Sequence, residues 1–516
     1  MATAEARRNA PDVRKRQALY GVIVFLSSAI VMVLEIAAGR LIAPYVGVSL
    51  YSWTSVIGVV LAGLAIGNWI GGRWVDAGAG DRQAGIALGG AALATLGVLL
   101  ALTVIAPLVQ ARPMGLMGAS FALAAGLFFI PAACLGIVAP MLTTLALHLD
   151  KRAGHVVGRM HALAALGSIA GTFVTGFVLI QYLGTRTVIV GSGLALLALS
   201  VPLLRGAVTV ASVLVAGAAI FGATAARQGL QDPCDAESQY YCIRVVDFSG
   251  GDLPGDTRTL VLDHLVHGIS HGPDATLLFA PYAQLMDELA RRHLGDAAGS
   301  ARYFFAGGGS YAQPRATAVS FPEAAVDVAE LDPAVTRTAR RDLFLATDGM
   351  TILHTDARVA LGQAGPGGYD VVVGDVFHDV ALPYHLTTSE YAGLVRSRLS
   401  NGGLYVMNVV DAFPDPLLVK SIVRTLGEHF AQVDIWLDRV PGGAGRATFI
   451  ISALTSPASW PSVLESRDGL ARSWLRVTES IEETGTPMER LPVLSDDYVP
   501  VERLVSRLLL KEIGNR

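Results

Sequence analysis

The sequence predicts an α-helical multi-pass membrane bundle followed by a soluble α/β domain that starts with a small β-hairpin subdomain. The chain has 516 residues, of which 52% are hydrophobic and only 16% are charged. This composition is too apolar for a single soluble protein of that length. Long uncharged runs fill the first 227 residues, whereas strand and helix patterns alternate further along the chain. Such alternation predicts a doubly wound, Rossmann-like sheet.

We expect five regions along the chain. They are a basic tail at 1–17, a transmembrane domain at 18–227, a β-hairpin subdomain at 228–280, a Rossmann-like domain at 281–460 and a C-terminal tail at 461–516. The formal net charge of −4 is near neutral for this length. We therefore expect a lipid bilayer as one partner and no nucleic acid.

The membrane half begins with basic residues followed by an uncharged run from Ala18 to Leu34. This pattern favours a first helix with its amino end in the cytoplasm over a cleaved signal peptide. Six further runs are long enough to cross a bilayer, so we expect about seven spans. The fourth span contains Pro131 and Pro140 and is either one kinked helix or two. The six runs lie at about Ser52–Ile70, Ala84–Pro107, Ala119–Leu147, Val156–Leu179, Val188–Leu204 and Ala207–Ala226.

Glycines recur every four residues in two of these runs, at Gly63, Gly67 and Gly71 and at Gly167 and Gly171. This spacing clears one helix face and predicts close helix packing. The nearby segment GNWIGGRWVD resembles a loop motif of major-facilitator transporters. About seven spans give neither two six-helix halves nor an inverted repeat, which argues against a transporter.

The soluble half contains a pattern typical of a nucleotide-binding site. A helix predicted at Pro281–Arg292 precedes an apolar strand predicted at Arg302–Ala306, which ends in three glycines, Gly307, Gly308 and Gly309. The next strand ends near Glu330 and Asp332. In parallel sheets, ligands bind beyond the carboxyl ends of the strands. Glycines there let the backbone approach a ligand, and a carboxylate on the next strand can accept from ribose hydroxyls. The pattern predicts a cofactor that carries adenosine.

The order of the motifs GGGS, ELD, TDAR and YDVVVGD after a small β-hairpin domain resembles the aminopropyltransferase (spermidine synthase) family. That family has the class I methyltransferase fold. The membrane half, with LEIAAGRLIAPYVG and IPAACLGIVAPML, is similar to bacterial multi-pass proteins that carry such a domain at their carboxyl end. The resemblance implies a membrane-fused, spermidine synthase-like transferase. Its cofactor, used as a substrate, would be S-adenosylmethionine or the decarboxylated form, and no metal is expected.

The resemblance also implies a role for each motif residue. The three glycines approach the sulfonium nucleoside, Glu330 holds the ribose hydroxyls, and Asp356 accepts from the adenine amino group. Their neighbours Ser310, Asp332 and Ala357 complete the predicted cofactor-binding set. Asp356 has an alternative role as the cap of the next helix.

Asp375 stands where the family has its catalytic carboxylate, beyond the fourth strand. A carboxylate there can orient an attacking amine and receive its proton. His378 and Asp379 follow it and complete the predicted catalytic set, although a surface position is the alternative for His378. The predicted substrate-binding residues are Tyr282, Gln284, Tyr311 and Tyr384.

Departures from the family pattern leave the reaction open. Ser310 and Tyr311 follow the glycines where soluble members have an acidic residue and a glycine, and His378 replaces a second aspartate. A dicationic polyamine needs carboxylates to replace its hydration shell, so a polyamine is only one candidate substrate. The alternatives are an acceptor-independent S-adenosylmethionine lyase that forms a lactone-type fragment, a methyltransferase, and a transporter or sensor regulated by nucleoside binding.

The membrane side of the soluble half also stays open. Seven crossings from a cytoplasmic start would place it outside, and Cys234 and Cys242 are close enough to pair in an oxidising exterior. Availability of an adenosyl cofactor favours the cytoplasm. The sequence leaves a homodimer as an open alternative to a monomer.

Overall fold

The structure is a computed structural model that describes residues 2–112, 114–150, 152–204, 206–248, 255–377 and 382–511. The described chain divides into two compact units between Pro233 and Cys234. The first unit is helical, and the second contains all the described strands. The predicted fold class, a helical bundle joined to an α/β Rossmann-like domain, is confirmed.

Eight α-helices build the described part of the first unit. They are α1 (Ala2–Val46), α2 (Leu50–Asp76), α3 (Asp81–Gln110), α4 (Leu116–Leu149), α5 (Ala153–Val174), α6 (Ile180–Leu183), α7 (Thr185–Ser200) and α8 (Ala207–Ala226). A π-helical turn, Thr175–Leu179, joins α5 to α6. The helix α4 continues through both of its prolines, so it forms a single segment.

The expectation of about seven spans needs a correction. Among the described residues, six helical segments are long and apolar enough to cross a membrane. The run predicted at Val188–Leu204 instead forms α7, which has 16 residues. At about 1.5 Å per residue it rises only about 24 Å, less than the ~30 Å hydrocarbon core of a bilayer. The described part of this unit therefore has six long apolar helical segments and one short apolar helix.

The glycine seams predicted from spacing are confirmed. Gly63, Gly67 and Gly71 are buried where α2 packs against α4. A Cβ atom on Gly67 would lie 2.1 Å from the carbonyl oxygen of Ala133, so the two backbones touch. Gly167 makes the same kind of contact with a backbone carbonyl of α1 at 2.1 Å. These glycines therefore set the distance between helices.

The second unit opens with a four-stranded antiparallel sheet, in the order β1-β2-β3-β4. Its strands are β1 (Ala236–Glu237), β2 (Cys242–Asp247), β3 (Thr257–Leu262) and β4 (Leu265–His271). The pairing of β2 with β3 confirms the predicted hairpin. A disulfide joins Cys234 to Cys242 and closes the β1–β2 turn.

A nine-stranded sheet forms the rest of the unit, in the order β12-β13-β10-β11-β9-β8-β5-β6-β7. The strands β7, β6, β5, β8 and β9 are parallel to one another, and β11 is antiparallel to β9 and β10. This arrangement is that of a methyltransferase-like Rossmann domain. The strands are β5 (Arg302–Ala306), β6 (Ala325–Ala329), β7 (Met350–Leu353), β8 (Tyr369–Gly374), β9 (Leu399–Phe413), β10 (Gln432–Leu437), β11 (Gly445–Leu454), β12 (Val463–Glu465) and β13 (Ser473–Arg476).

The helices of this unit are α9 (Pro281–Leu294), α10 (Ala312–Ser320), α11 (Pro333–Asp342), α12 (Ala357–Gln363), α13 (Ser389–Arg398), α14 (Leu417–Leu426), α15 (Thr478–Glu483), α16 (Val501–Leu504) and α17 (Ser506–Lys511). The region expected to be a polar tail contributes β12 and β13, which extend the sheet beyond β10.

The strand order reverses at β5, which lies between β6 and β8. The chain passes from β5 to β6 on one side of the sheet and from β8 to β9 on the other side. A crevice therefore opens at the carboxyl ends of β5 and β8. The glycine turn follows β5, Glu330 follows β6 and Asp375 follows β8. The fold therefore brings the predicted residues to one edge of the sheet.

Candidate active site

The glycine turn after β5 has a backbone that larger residues would not fit. Gly307 and Gly309 have φ angles of +92° and +51°, in the left-handed region that favours glycine. A Cβ atom on Gly307 would lie 2.4 Å from the carbonyl oxygen of Asp375. On Gly308 it would lie 2.5 Å from the ring of Tyr311. The turn is thus held between the end of β8 and a buried aromatic ring.

Glu330 binds the glycine turn through its side chain. Its Oε2 accepts from the backbone nitrogens of Gly308 and Gly309 at 3.0 and 3.3 Å, and its Oε1 accepts from the nitrogen of Asp332 at 2.9 Å. The side chain is 7% exposed. Burial raises the pKa of this carboxyl group, and the three backbone hydrogen bonds act in the opposite direction. The carboxylate and the turn therefore form one preorganised edge of the crevice.

The β1–β2 turn covers the second carboxylate. Asp332 caps α11 by accepting from the backbone nitrogen of Ala334 at 2.8 Å, and its other oxygen accepts from the Ser238 hydroxyl. The hydroxyl of Tyr241 donates to the carbonyl oxygen of Phe377 at 3.4 Å. Burial, and then the charge of a nearby carboxylate, raises the pKa of Tyr241 well above its usual value. The disulfide-closed turn thus packs over both strand ends.

Asp375 lies at the centre of a small hydrogen-bonded group. Its backbone nitrogen donates to the carbonyl oxygen of Ala306 at 3.0 Å, which fixes the chain next to β5. Its Oδ1 accepts from Nδ2 of Asn408 at 3.1 Å, and the Tyr282 hydroxyl donates to the same carboxylate. Burial raises the pKa of Asp375 to about 6, while the hydrogen bonds from Asn408 and Tyr282 lower it. A carboxylate with this pKa is mostly ionised at neutral pH and can take up a proton.

Asp375, Tyr282 and the glycine turn line one cavity, which has a volume of about 30 Å³. His267 from β4, Ser310 from the end of the turn and Gln313 from α10 also line it. A space of this size holds about one water molecule. A nucleoside would therefore have to displace the side chains that close the crevice.

Asp356 performs the capping role that the sequence left as an alternative. Its Oδ1 accepts from the backbone nitrogens of Arg358 and Val359 at 2.9 and 3.2 Å. Its Oδ2 lies 2.8 Å from Nε2 of His385, and this contact is the largest cause that holds the pKa of Asp356 below its usual value. Ala357 is buried at the start of α12. The predicted contact of Asp356 with adenine stays a prediction.

Three predicted substrate residues lie away from the cavity wall. The Gln284 side-chain nitrogen donates to the carbonyl oxygens of Asp468 and Leu470, and its oxygen accepts from an arginine. The Tyr311 ring is fully buried under the glycine turn, which favours its packing role over a ligand contact. Tyr384 is 63% exposed. Of the predicted substrate residues, only Tyr282 lines the cavity.

Two of the predicted catalytic residues, His378 and Asp379, lie outside the described residues. Sequence reasoning missed Asn408, which holds Asp375. The sequence feature that could have identified it is a single amide side chain within the apolar strand GGLYVMNVV. His385, the partner of Asp356, directly follows the predicted residue Tyr384 in the sequence.

Comparison with known proteins places these residues in a family context. No family model matches the chain. The chain is 29% identical over 208 residues to a polyamine aminopropyltransferase of Vibrio vulnificus, a match that covers 38% of this chain and 67% of that relative. It is 30% identical over 121 residues to a probable polyamine aminopropyl transferase of Bifidobacterium longum, with coverage of 23% and 26%.

The chain resembles the polyamine aminopropyltransferases. The resemblance predicted from the motifs is thereby confirmed, as is the enzyme class, a transferase of the polyamine synthase type. Among solved structures, a probable spermidine synthase of Corynebacterium glutamicum is similar, with 20% identity, a TM-score of 0.42, and coverage of 50% of this chain and 98% of that one.

Proposed function

We propose that the soluble unit transfers the aminopropyl group of decarboxylated S-adenosylmethionine, or the aminocarboxypropyl group of S-adenosylmethionine itself, to an amine, and releases methylthioadenosine. The observation that carries this proposal is the position of Asp375, which lies beyond β8 beside the glycine turn and is held by Tyr282 and Asn408. A base fixed next to a nucleoside-binding turn can direct attack on a bound sulfonium.

The donor would bind along the glycine turn. Gly307, Gly308 and Gly309 would contact it through their backbone, and Glu330 would accept from the ribose hydroxyls after exchanging part of its backbone contacts. The buried position of Glu330 supports this role, because hydrogen bonds to a desolvated carboxylate are strong. Asp332 follows β6 and Asp356 follows β7 at the same edge of the sheet, and they would bind more distant parts of the nucleoside.

In the proposed reaction, the acceptor nitrogen attacks the γ-carbon of the donor. The new carbon–nitrogen bond forms as the carbon–sulfur bond breaks. The electron pair of the broken bond stays on the sulfur, which becomes the neutral thioether of methylthioadenosine. The surplus proton of the nitrogen passes to Asp375. The raised pKa of Asp375 suits this transfer, because a base with a pKa near neutrality accepts a proton more readily than an ordinary aspartate.

Ser310 favours a second candidate function. It lines the cavity at the place where the family pattern has an acidic residue, so the wall there would tolerate the carboxylate of intact S-adenosylmethionine. In that case the donor's own carboxylate oxygen could attack the γ-carbon, forming a lactone and methylthioadenosine. The protein would then be a lyase and need no acceptor.

Product analysis separates these reactions. The purified protein is incubated with each donor, with and without putrescine, and the products are identified by mass spectrometry. Methylthioadenosine that forms only with an amine supports the transferase, whereas its formation from S-adenosylmethionine alone supports the lyase. Consumption of neither donor, while either still binds, would contradict both.

We propose that six long helices hold the protein in the cell membrane, with the soluble unit in the cytoplasm, where an adenosyl donor is available. The disulfide between Cys234 and Cys242 argues for an oxidising compartment instead. Alkylation of intact and lysed cells with an impermeant thiol reagent after reduction tests the location. Labelling of these cysteines in intact cells would refute the cytoplasmic side.

A further inference from the structure

Two buried polar side chains line the small cavity beside Asp375. They belong to Ser310 and Gln313, which are 5% and 7% exposed. Within the described residues, neither the Ser310 hydroxyl nor the Gln313 amide makes a hydrogen bond, although the backbone oxygen of Ser310 accepts from the Ser270 hydroxyl at 3.0 Å. A buried polar group without a partner costs free energy. Two such groups in one cavity wall are therefore suited to a polar ligand.

The first turn of α10 adds backbone donors to the same wall. Ala312 and Gln313, the first two residues of this helix, both line the cavity. Among the described residues, no side chain caps the nine-residue helix. The backbone nitrogens of a first helical turn have no partner within the helix, and the helix dipole makes this end positive. This part of the wall therefore favours a negatively charged group.

A glycine of the β-hairpin subdomain leaves room for the Ser310 hydroxyl. Gly268 of β4 also lines the cavity, and its φ angle of +148° is one that other residues rarely adopt. A Cβ atom on Gly268 would lie 2.2 Å from Oγ of Ser310. The glycine thus allows the hydroxyl to stay at the cavity wall.

The charges of this wall do not suit a second ammonium group. Among its described residues, Asp375 is the one carboxylate, and no lysine or arginine is present. Asp375 is needed for the proton of the acceptor amine. The ammonium group of the decarboxylated donor would therefore have no carboxylate of its own here. The family pattern has an acidic residue at position 310, which would repel a donor carboxylate, whereas Ser310 does not.

We propose that the donor is intact S-adenosylmethionine, and that its carboxylate binds to the Ser310 hydroxyl, the Gln313 amide and the amino end of α10. This inference rests on the proposed function and specifies its donor. The adenosine would lie along the glycine turn, so the three-carbon arm would enter the cavity beside Asp375. Attack at the γ-carbon then transfers an aminocarboxypropyl group, with the same bonds formed and broken as above. The lactone-forming reaction would use the same donor, so the inference does not depend on the nucleophile.

A matched pair of unreactive thioethers tests this proposal. S-Adenosylhomocysteine and S-adenosyl-3-thiopropylamine have no sulfonium to react, and they differ only in the carboxylate. Each is titrated into the full-length protein in a calorimeter. We expect S-adenosylhomocysteine to bind at least about tenfold more tightly, because a single hydrogen bond to a charged group contributes about this factor.

The nearly isosteric change Gln313→Glu places a negative charge where the donor carboxylate would bind. It should weaken binding of S-adenosylhomocysteine at least about tenfold and strengthen binding of S-adenosyl-3-thiopropylamine, which reverses the preference. Methylthioadenosine lacks both the carboxylate and the amine, so its Kd should stay the same and show that the variant is folded.

Two further variants sharpen the result. Ser310→Ala should weaken binding of S-adenosylhomocysteine about tenfold and leave the Kd of S-adenosyl-3-thiopropylamine within about threefold. Gln363→Glu, at an exposed glutamine of α12 outside the cavity wall, should change neither value. In turnover with an amine, kcat/KM should be higher for S-adenosylmethionine than for its decarboxylated form.

The possible failures can be told apart. Tighter binding of S-adenosyl-3-thiopropylamine to the wild type, or an unchanged preference in Gln313→Glu, would overturn the inference and leave the proposed function intact. If neither thioether binds and methylthioadenosine does not bind either, the adenosyl site itself is wrong, and the proposed function fails together with the inference.

Discussion

Removal of the Tyr282 hydroxyl should change the pH at which the enzyme loses activity. The Tyr282 hydroxyl donates to Asp375 and lowers the pKa of that carboxyl group, which burial has raised to about 6. The change Tyr282→Phe keeps the ring and deletes this hydrogen bond. The pKa of Asp375 should therefore rise further, because its ionised form loses one of its donors.

The size of the shift follows from the strength of the lost interaction. A hydrogen bond to a charged group contributes about 1.5–3 kcal/mol, and one pKa unit corresponds to about 1.36 kcal/mol. The pKa should then rise by roughly one to two units. Only ionised Asp375 can accept the proton, so activity is present above its pKa and is lost as the pH falls through it. The acidic limb should move from about pH 6 to about pH 7–8.

The assay is the release of methylthioadenosine as kcat/KM between pH 5 and 9. The acceptor amine titrates near pH 10, far enough from this limb to be separated. Tyr303→Phe is the control, because this buried hydroxyl donates to the carbonyl oxygen of Ala298 and lies outside the cavity wall. A limb that stays near pH 6 in Tyr282→Phe, even with a lower rate, would refute the assigned coupling.

Three further changes test other parts of the account. Glu330→Gln should weaken methylthioadenosine binding about tenfold to a hundredfold in calorimetry, since it replaces a buried carboxylate that accepts three backbone hydrogen bonds; an unchanged Kd would contradict its role. Gly308→Ala should abolish that binding because its Cβ would meet a buried ring at 2.5 Å, whereas Gly299→Ala, which meets nothing within 4 Å, should not. Lys420→Met should destabilise the soluble unit by about 1–3 kcal/mol in denaturant unfolding followed by tryptophan fluorescence, because Asp415 and the carbonyl oxygens of Thr484 and Thr486 lose their buried donor while Arg507 still pairs with Asp415; an unchanged midpoint would contradict this.

Much of the Rossmann-like sheet could be predicted from the sequence. The strand expected at Arg302–Ala306 is β5 with the same limits, because a short apolar run that ends in glycines can form few structures other than a strand. The helix expected at Pro281–Arg292 ends two residues later, at Leu294. The glycine turn, Glu330 and Asp375 met at one sheet edge because parallel strands share the direction of their ends.

The partners of these residues could not be predicted in the same way. Asn408 contacts Asp375 across 33 positions of sequence, and only the pairing of β8 with β9 brings them together. Tyr311 follows the glycine turn in sequence, yet its ring turns beneath it into the core. Such contacts depend on tertiary packing, which local patterns do not encode. The two strands in the expected tail were missed because each has at most four residues.

The most direct test of the proposed chemistry is the release of methylthioadenosine by Asp375→Asn, measured beside the wild type with the decarboxylated donor and an amine acceptor. The account predicts a fall of about 10²–10⁴-fold in kcat, the usual contribution of a general base. Methylthioadenosine binding should persist, and Asp296→Asn, at an exposed aspartate outside the cavity wall, should keep full activity. A variant Asp375→Asn with wild-type turnover would contradict the account.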